Sequence, residues 1–188
     1  MRTLQKLFPM ALVVIGLAFL AGGAYTTVRG FDARADVREQ LIAQKIVTPE
    51  DASIPNAPVA DAATAISMAE IIGHHVEEAT GGKTYAEMGR FLTPDGGDTS
   101  DETQALKDDE GNPVANPLRN VAFQASALRT SLYTSAMAFN VADLVVGLGL
   151  MIAVTGLVVA GLGIALAGLA IPVVARRLNV RTVAAPTS

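Results

Sequence analysis

Two apolar stretches dominate what this chain can become. The first runs from Leu7 to Val28, 22 residues without a charge, and the second from Leu144 to Ala175, 32 residues without a charge. As a helix the first reaches about 33 Å, enough to cross a hydrocarbon core of about 30 Å. The second reaches about 48 Å and must tilt, kink or project from the bilayer. It is too short for two spans and a turn, so it reads as one helix, with Pro172 in its last turn. The fold class this implies is all-α: an integral membrane protein with two transmembrane helices and a small helical extracytoplasmic segment.

Charge orients the spans. All 18 acidic residues lie between Asp32 and Asp143, and the segment 29–143 also carries nine basic residues, a net charge of −9. Residues 1–6 carry Arg2 and Lys6, and the tail 176–188 carries Arg176, Arg177 and Arg181, with no acid in either. Lys and Arg near span ends mark the cytoplasmic side. Both termini are therefore expected in the cytoplasm at the plasma membrane, with 29–143 outside. Arg29, Arg34 and Arg38 run against the rule, and Asp32, Asp36 and Glu39 partly neutralise them. Ala21-Gly22-Gly23-Ala24 also allows a cleaved signal peptide, although the apolar run is long for one, so 7–28 reads as a span or uncleaved signal anchor. The net charge of −4 and the absence of Cys exclude a basic nucleic-acid binder and a cysteine-ligated metal site.

The second span carries a stripe of small residues: Gly149, Ala153, Gly156, Ala160, Gly163, Ala167 and Ala170, at alternating spacings of four and three. Lipid gives helices little hydrophobic reason to associate, so interfaces favour residues that let backbones approach. This is the expected helix-packing face, with bulky Leu150, Leu157, Val158, Leu162 and Leu166 elsewhere. Its partner is the first span through Gly16, Gly22 and Gly23, a second copy, or another protein. The expected partners are thus the lipid bilayer and another transmembrane helix, with no nucleic acid.

The outer segment reads as helices and loops. Val37, Leu41, Ile42 and Ile46 predict an amphipathic helix over 36–47. Thr48-Pro49-Glu50-Asp51 has the form of a new helix start. A clearer helix is predicted from Ala62 to Ala79, capped by Asp61 and ended by Gly81-Gly82. Thr84 and Glu87 predict a capping box for a short helix, Tyr85 to Phe91. Residues 93–116 are rich in Gly, Pro, Asp, Asn, Ser and Thr and read as a flexible, solvated loop. From Pro117, with Leu118, Val121, Ala122, Ala125, Leu128 and Leu132 on one side, a helix runs unbroken into the second span.

Sites of chemistry are sparse. His74 and His75 are the only histidines, and with Glu70 and Glu78 they form the candidate metal ligands. Adjacent side chains point about 100° apart on a helix, so the two rings seldom share one ion. Thr80-Gly81-Gly82-Lys83-Thr84 has the end of a phosphate-binding loop, but the required earlier Gly is Glu77 and no strand precedes it. Asp95, Asp98, Asp101 and Glu102, then Asp108, Asp109 and Glu110, lack EF-hand spacing. Asp143 sits at a span edge, and Ser126, Thr130, Ser131, Thr134 and Ser135 line a helix without an arguable triad. No catalytic residue and no cofactor are assigned.

Two passages carry a resemblance. One is Ala69-x-x-Ile72-x-x-His75 followed by Thr80-Gly81-Gly82-Lys83-Thr84-Tyr85-Ala86-Glu87. The other is Arg129-x-Ser131-Leu132-Tyr133-Thr134-Ser135, running through Ala138-Phe139-x-Val141-Ala142 to Gly147-Leu148-Gly149. Over roughly 60–155 the chain resembles a family of small actinobacterial membrane proteins with two spans and an outer loop. The resemblance implies no established activity, although some members carry the label aromatic ring-opening dioxygenase. Extradiol cleavage needs an iron site that two adjacent histidines do not make. The expected role is therefore an accessory, scaffold or assembly protein of the cell envelope. A metal-dependent enzyme or sensor at His74 and His75 is the alternative.

Overall fold

The computed structural model describes residues 2–183, and side-chain surroundings over residues 7–168. Ala170, Pro172 and the basic residues Arg2, Lys6, Arg176, Arg177 and Arg181 lie outside the latter range. Three helices carry the fold: α1 (Arg2–Ala43), α2 (Ala62–Thr80) and α3 (Pro117–Val183), with a hairpin of β1 (Phe91–Leu92) and β2 (Asp98–Thr99) between α2 and α3. Among the described residues the fold is all-α apart from this two-stranded ladder and a few isolated bridges. Two of its helices are long and apolar enough to cross a membrane, over Leu7–Ala43 and Pro117–Gly168.

The chain divides into two compact units. The first comprises residues 1–34 and 141–188, the apolar parts of α1 and α3. Seven residues forward along α1 matches seven back along α3: Gly16 meets Gly156 and Ala160, Gly23 meets Gly149 and Ala153, and Gly30 meets Ala142 and Val146. That is an antiparallel pair. Its strict seven-residue repeat is the one that gives left-handed supercoiling.

The second unit comprises residues 35–140. Its core is Leu41, Val59, Ala65, Ala69, Leu132, Ala136 and Phe139, with Val37, Ile46, Ala62, Ile66, Met68 and Ile72 packed against it. Asp61 caps α2 by accepting from the Thr64 amide at 2.8 Å, while Thr64 answers the Asp61 amide, closing the box. Gly81 ends α2 in the left-handed conformation at φ 62°. Asn116 accepts from the Leu118 and Arg119 amides, and Pro117 opens α3, where a missing amide costs nothing.

Several expectations for this unit are corrected. The helix over 36–47 ends at Ala43, because Lys45 turns to φ 55° and Val47 bridges to Pro58. Ile42 is exposed while Leu41 is in the core. Thr48-Pro49-Glu50-Asp51 starts no helix: a single turn closes from the Ala52 amide to Pro49, and Pro55 follows too soon for another. The Thr48 hydroxyl is buried and ties the loop together instead, donating to the Ile54 carbonyl at 2.5 Å and accepting from the Ala57 amide at 2.9 Å.

Thr84 and Glu87 do pair, the carboxylate accepting from the Thr84 amide at 2.8 Å, but only a turn forms over 85–87. Gly89 diverts the chain: a Cβ there would sit 2.3 Å from the Thr99 nitrogen, an approach that only glycine permits. Segment 93–116 is not loop throughout. Its hairpin pairs Phe91 with Thr99 and Leu92 with Asp98, and a further run bonds Leu92 to Val114, Leu106 to Leu92 and Val114 to Leu106. On α3, Ala122, Ala125, Leu132, Ala136 and Phe139 are buried, while Leu118, Val121 and Leu128 are exposed.

Candidate functional site

In the first unit α1 and α3 pack backbone to backbone at a repeating set of glycines. A Cβ on Gly16 would stand 2.4 Å from the Ala160 nitrogen, and one on Gly23 would stand 2.3 Å from the Ala153 nitrogen. From the other side, a Cβ on Gly156 would meet the Leu20 nitrogen at 2.4 Å, one on Gly149 the Thr27 nitrogen at 2.6 Å, and one on Gly163 the Pro9 carbonyl at 2.8 Å. The two backbones touch, with no room for any side chain at these positions. Backbone contact of this kind gathers many dispersion contacts along the seam.

Of the expected packing face, Gly149, Gly156 and Gly163 line this seam, with Ala153 and Ala160 against Gly23 and Gly16. Ala167 is half-buried. Gly22, named with Gly16 and Gly23 as a partner in the first span, faces open space. Pro9 and Gly30 complete the α1 side and were not anticipated. Their signal is the seven-residue spacing Pro9, Gly16, Gly23, Gly30, all four buried.

The large apolar side chains point the other way. Phe8, Met10, Val14, Leu17, Phe19, Leu144, Met151, Val154, Leu157, Val158, Leu162 and Ile164 are exposed. Bulky apolar groups outside and glycine inside reverse the order of a water-soluble helix pair, an arrangement consistent with two membrane-spanning helices. The threonine hydroxyls are satisfied within their own helices: Thr26, Thr27 and Thr155 donate to the carbonyls of Gly22, Gly23 and Met151 one turn back. At the edge of the seam Arg34 donates to Asp143, so that carboxylate is ion-paired.

The histidines of the second unit diverge. The His75 Nε2 lies 2.7 Å from the Asp51 Oδ2, tying the 44–61 loop to α2. The His74 Nε2 lies 3.4 Å from the Glu78 Oε1 on the next turn. Their ring centroids are 6.2 Å apart, and Glu70 is exposed. A zinc ion with three protein ligands needs them all within about 2.0–2.3 Å. Among the described residues no group of three metal-ligating side chains converges. The hydrogen bond with His75 holds the Asp51 carboxyl below its ordinary value.

The remaining motifs have local duties. Thr80 donates to Val76, and Lys83 reaches Asp98 at 2.8 Å, so the Gly-Gly-Lys-Thr turn is a helix end with a committed lysine. Asp98 also accepts from the Gly89 amide, and the Lys83 ammonium is the larger cause of its lowered carboxyl pKa. Asp101 accepts from the Thr103 amide, and Asp108 from those of Glu110 and Asn112, the turn chemistry of Asx residues. Thr130, Thr134 and Ser135 donate to carbonyls four residues back. Against known proteins, no family model, no curated protein and no solved structure matches the chain.

Proposed function

We propose that this is a non-enzymatic, membrane-anchored accessory, scaffold or assembly protein of the bacterial cell envelope. The observation that carries the reading is the inverted order of the first unit, with glycine backbones in contact inside and a coat of large apolar side chains outside. In this reading the spans form a helical hairpin in the plasma membrane. Both termini lie in the cytoplasm, as the five basic residues beside the spans favour, and 29–143 presents its acidic surface outside. The resemblance to two-span membrane proteins agrees with this and adds no activity to it. Because His74 and His75 engage different carboxylates, the metal-dependent alternative draws no support from their geometry.

The test is purification from native membranes in mild detergent, with mass spectrometry of what co-elutes. A stoichiometric partner supports an accessory role and names the process. A partner-free protein whose Gly156→Ala variant behaves like wild type in the cell would overturn it. Orientation is read separately, by labelling single cysteines placed at positions 3, 100 and 186 from outside the cell. Only position 100 is expected to react.

A further inference from the structure

Acids outnumber bases two to one over residues 29–143, yet of the nine Lys and Arg there only Arg29, Arg34 and Lys83 lie within 4 Å of a carboxylate. Arg90 and Arg119 do not: among the described residues neither has an acidic partner, and both line the same open cleft of about 410 Å³. The volume falls in the range of small-molecule sites, about 300–1,000 Å³.

The cleft is built on fixed parts. The Arg119 Nε donates to the Met88 carbonyl at 3.1 Å, which lays its guanidinium over the Tyr85 ring at 4.0 Å from the centroid. Tyr85 in turn packs against Phe123 at 5.4 Å between centroids. Arg90 donates one N–H to the Ser100 carbonyl at 3.2 Å. A guanidinium has five N–H donors, so each arginine keeps several in hand. Asn120 adds an amide to the lining, and Ala115, Pro117 and the Phe123 face add an apolar wall. Phe123 is 53% exposed, a large aromatic left uncovered beside two unneutralised charges.

We propose that this cleft binds a small organic oxyanion, a carboxylate or phosphate monoester carried on an aromatic or aliphatic body. The oxyanion pairs with Arg90 and Arg119, whose planar forks suit bidentate recognition of either group. The apolar body lies against Phe123 and Pro117. Of the lining side chains only Tyr85 has a group able to act as a nucleophile or base, and its ring is stacked under the Arg119 guanidinium, so the site is proposed as one of binding. It is independent of the helix seam.

The experiment uses the full-length protein in nanodiscs of zwitterionic lipid. Fluorine NMR follows 4-fluorobenzoate, 4-fluorophenyl phosphate and neutral 4-fluorobenzyl alcohol. Saturable binding of one or both anions is expected, with no binding of the alcohol. Arg90→Gln and Phe123→Ala, both at exposed positions, are each expected to weaken binding at least tenfold with unchanged circular dichroism. Arg119→Gln also removes the Met88 contact and is read only beside them. Anionic lipid added to the nanodiscs distinguishes the two sources: competition assigns the oxyanion to a headgroup, and its absence to a free solute. Absence of saturable anion binding, equal binding of the alcohol, or undiminished binding to Arg90→Gln would overturn the proposal.

Discussion

Gly156 of α3 lies so close to Leu20 of α1 that a methyl group on it would stand 2.4 Å from the Leu20 amide nitrogen. The same relationship recurs a heptad away on either side, at Gly149 with Thr27 and at Gly163 with Val13. The seam is therefore a property of two backbones. Its specificity lies in what is missing from the side chains. Glycine is otherwise costly in a helix, by about 1 kcal/mol relative to alanine, so six of them at seven-residue spacing are kept for the contact.

The second unit should loosen in acid. Six carboxyls there titrate below their ordinary values, among them Asp61 through the Thr64 amide, Asp98 through Lys83 and Glu87 through the Thr84 amide. A depressed folded-state pKa contributes stability that is complete above the unfolded value and is lost as pH falls through the folded one. The unfolded reference is 3.8 for Asp and 4.5 for Glu. Melting temperature is expected to hold from neutrality to about pH 4.5 and to drop below it. Asp98→Asn should speed exchange of the Gly89 amide at pH 7. Equal exchange would contradict the pairing.

Thr48 is a polar residue with a structural task. It is 1% exposed, and its hydroxyl both donates to the loop and accepts the Ala57 amide. Thr48→Val keeps the shape and strands that amide. A loss of about 1–3 kcal/mol in unfolding free energy is expected, the cost of an unsatisfied buried group. Denaturant titration of the protein in detergent measures it, and an unchanged midpoint would count against the contact.

Metal content separates the accessory reading from its alternative. His75 is held by Asp51 and His74 faces Glu78, so each histidine offers at most a partial site. Protein purified without a histidine tag is expected to carry substoichiometric zinc, iron and copper. Equimolar zinc should not raise its melting temperature. A stoichiometric metal that disappears in His74→Ala or His75→Ala would reverse the assignment.

How far the sequence could be read depends on the range of each interaction. The α2 caps are legible because each acts within one turn: Asp61 with Thr64 at the start, and Gly81 with the Glu77 and Glu78 carbonyls at the end. The glycines of α3 are legible as a stripe because one helix carries the whole period. Which first-span residues meet them is decided by rotation of the partner helix, and so Gly22 was included and Gly30 was not. Thr48-Pro49 and Thr84-x-x-Glu87 failed for another reason. A helix start and an isolated turn use the same residues, and the difference is made by Pro55 and by Gly89 pressed on Thr99. The cleft joins residues from 85 to 123 and has no local signature.

The most direct test of the seam compares two alanines on one helix. A Cβ at Gly156 collides with the α1 backbone, whereas one at Gly161, five residues on, meets nothing within 4 Å. Unfolding free energies would be measured for both variants in the same bilayer mimic. Gly156→Ala should lose about 1–3 kcal/mol, as overpacked sites do, and Gly161→Ala should match or slightly exceed wild type. Equal effects at the two positions would mean that α1 and α3 do not meet along this face.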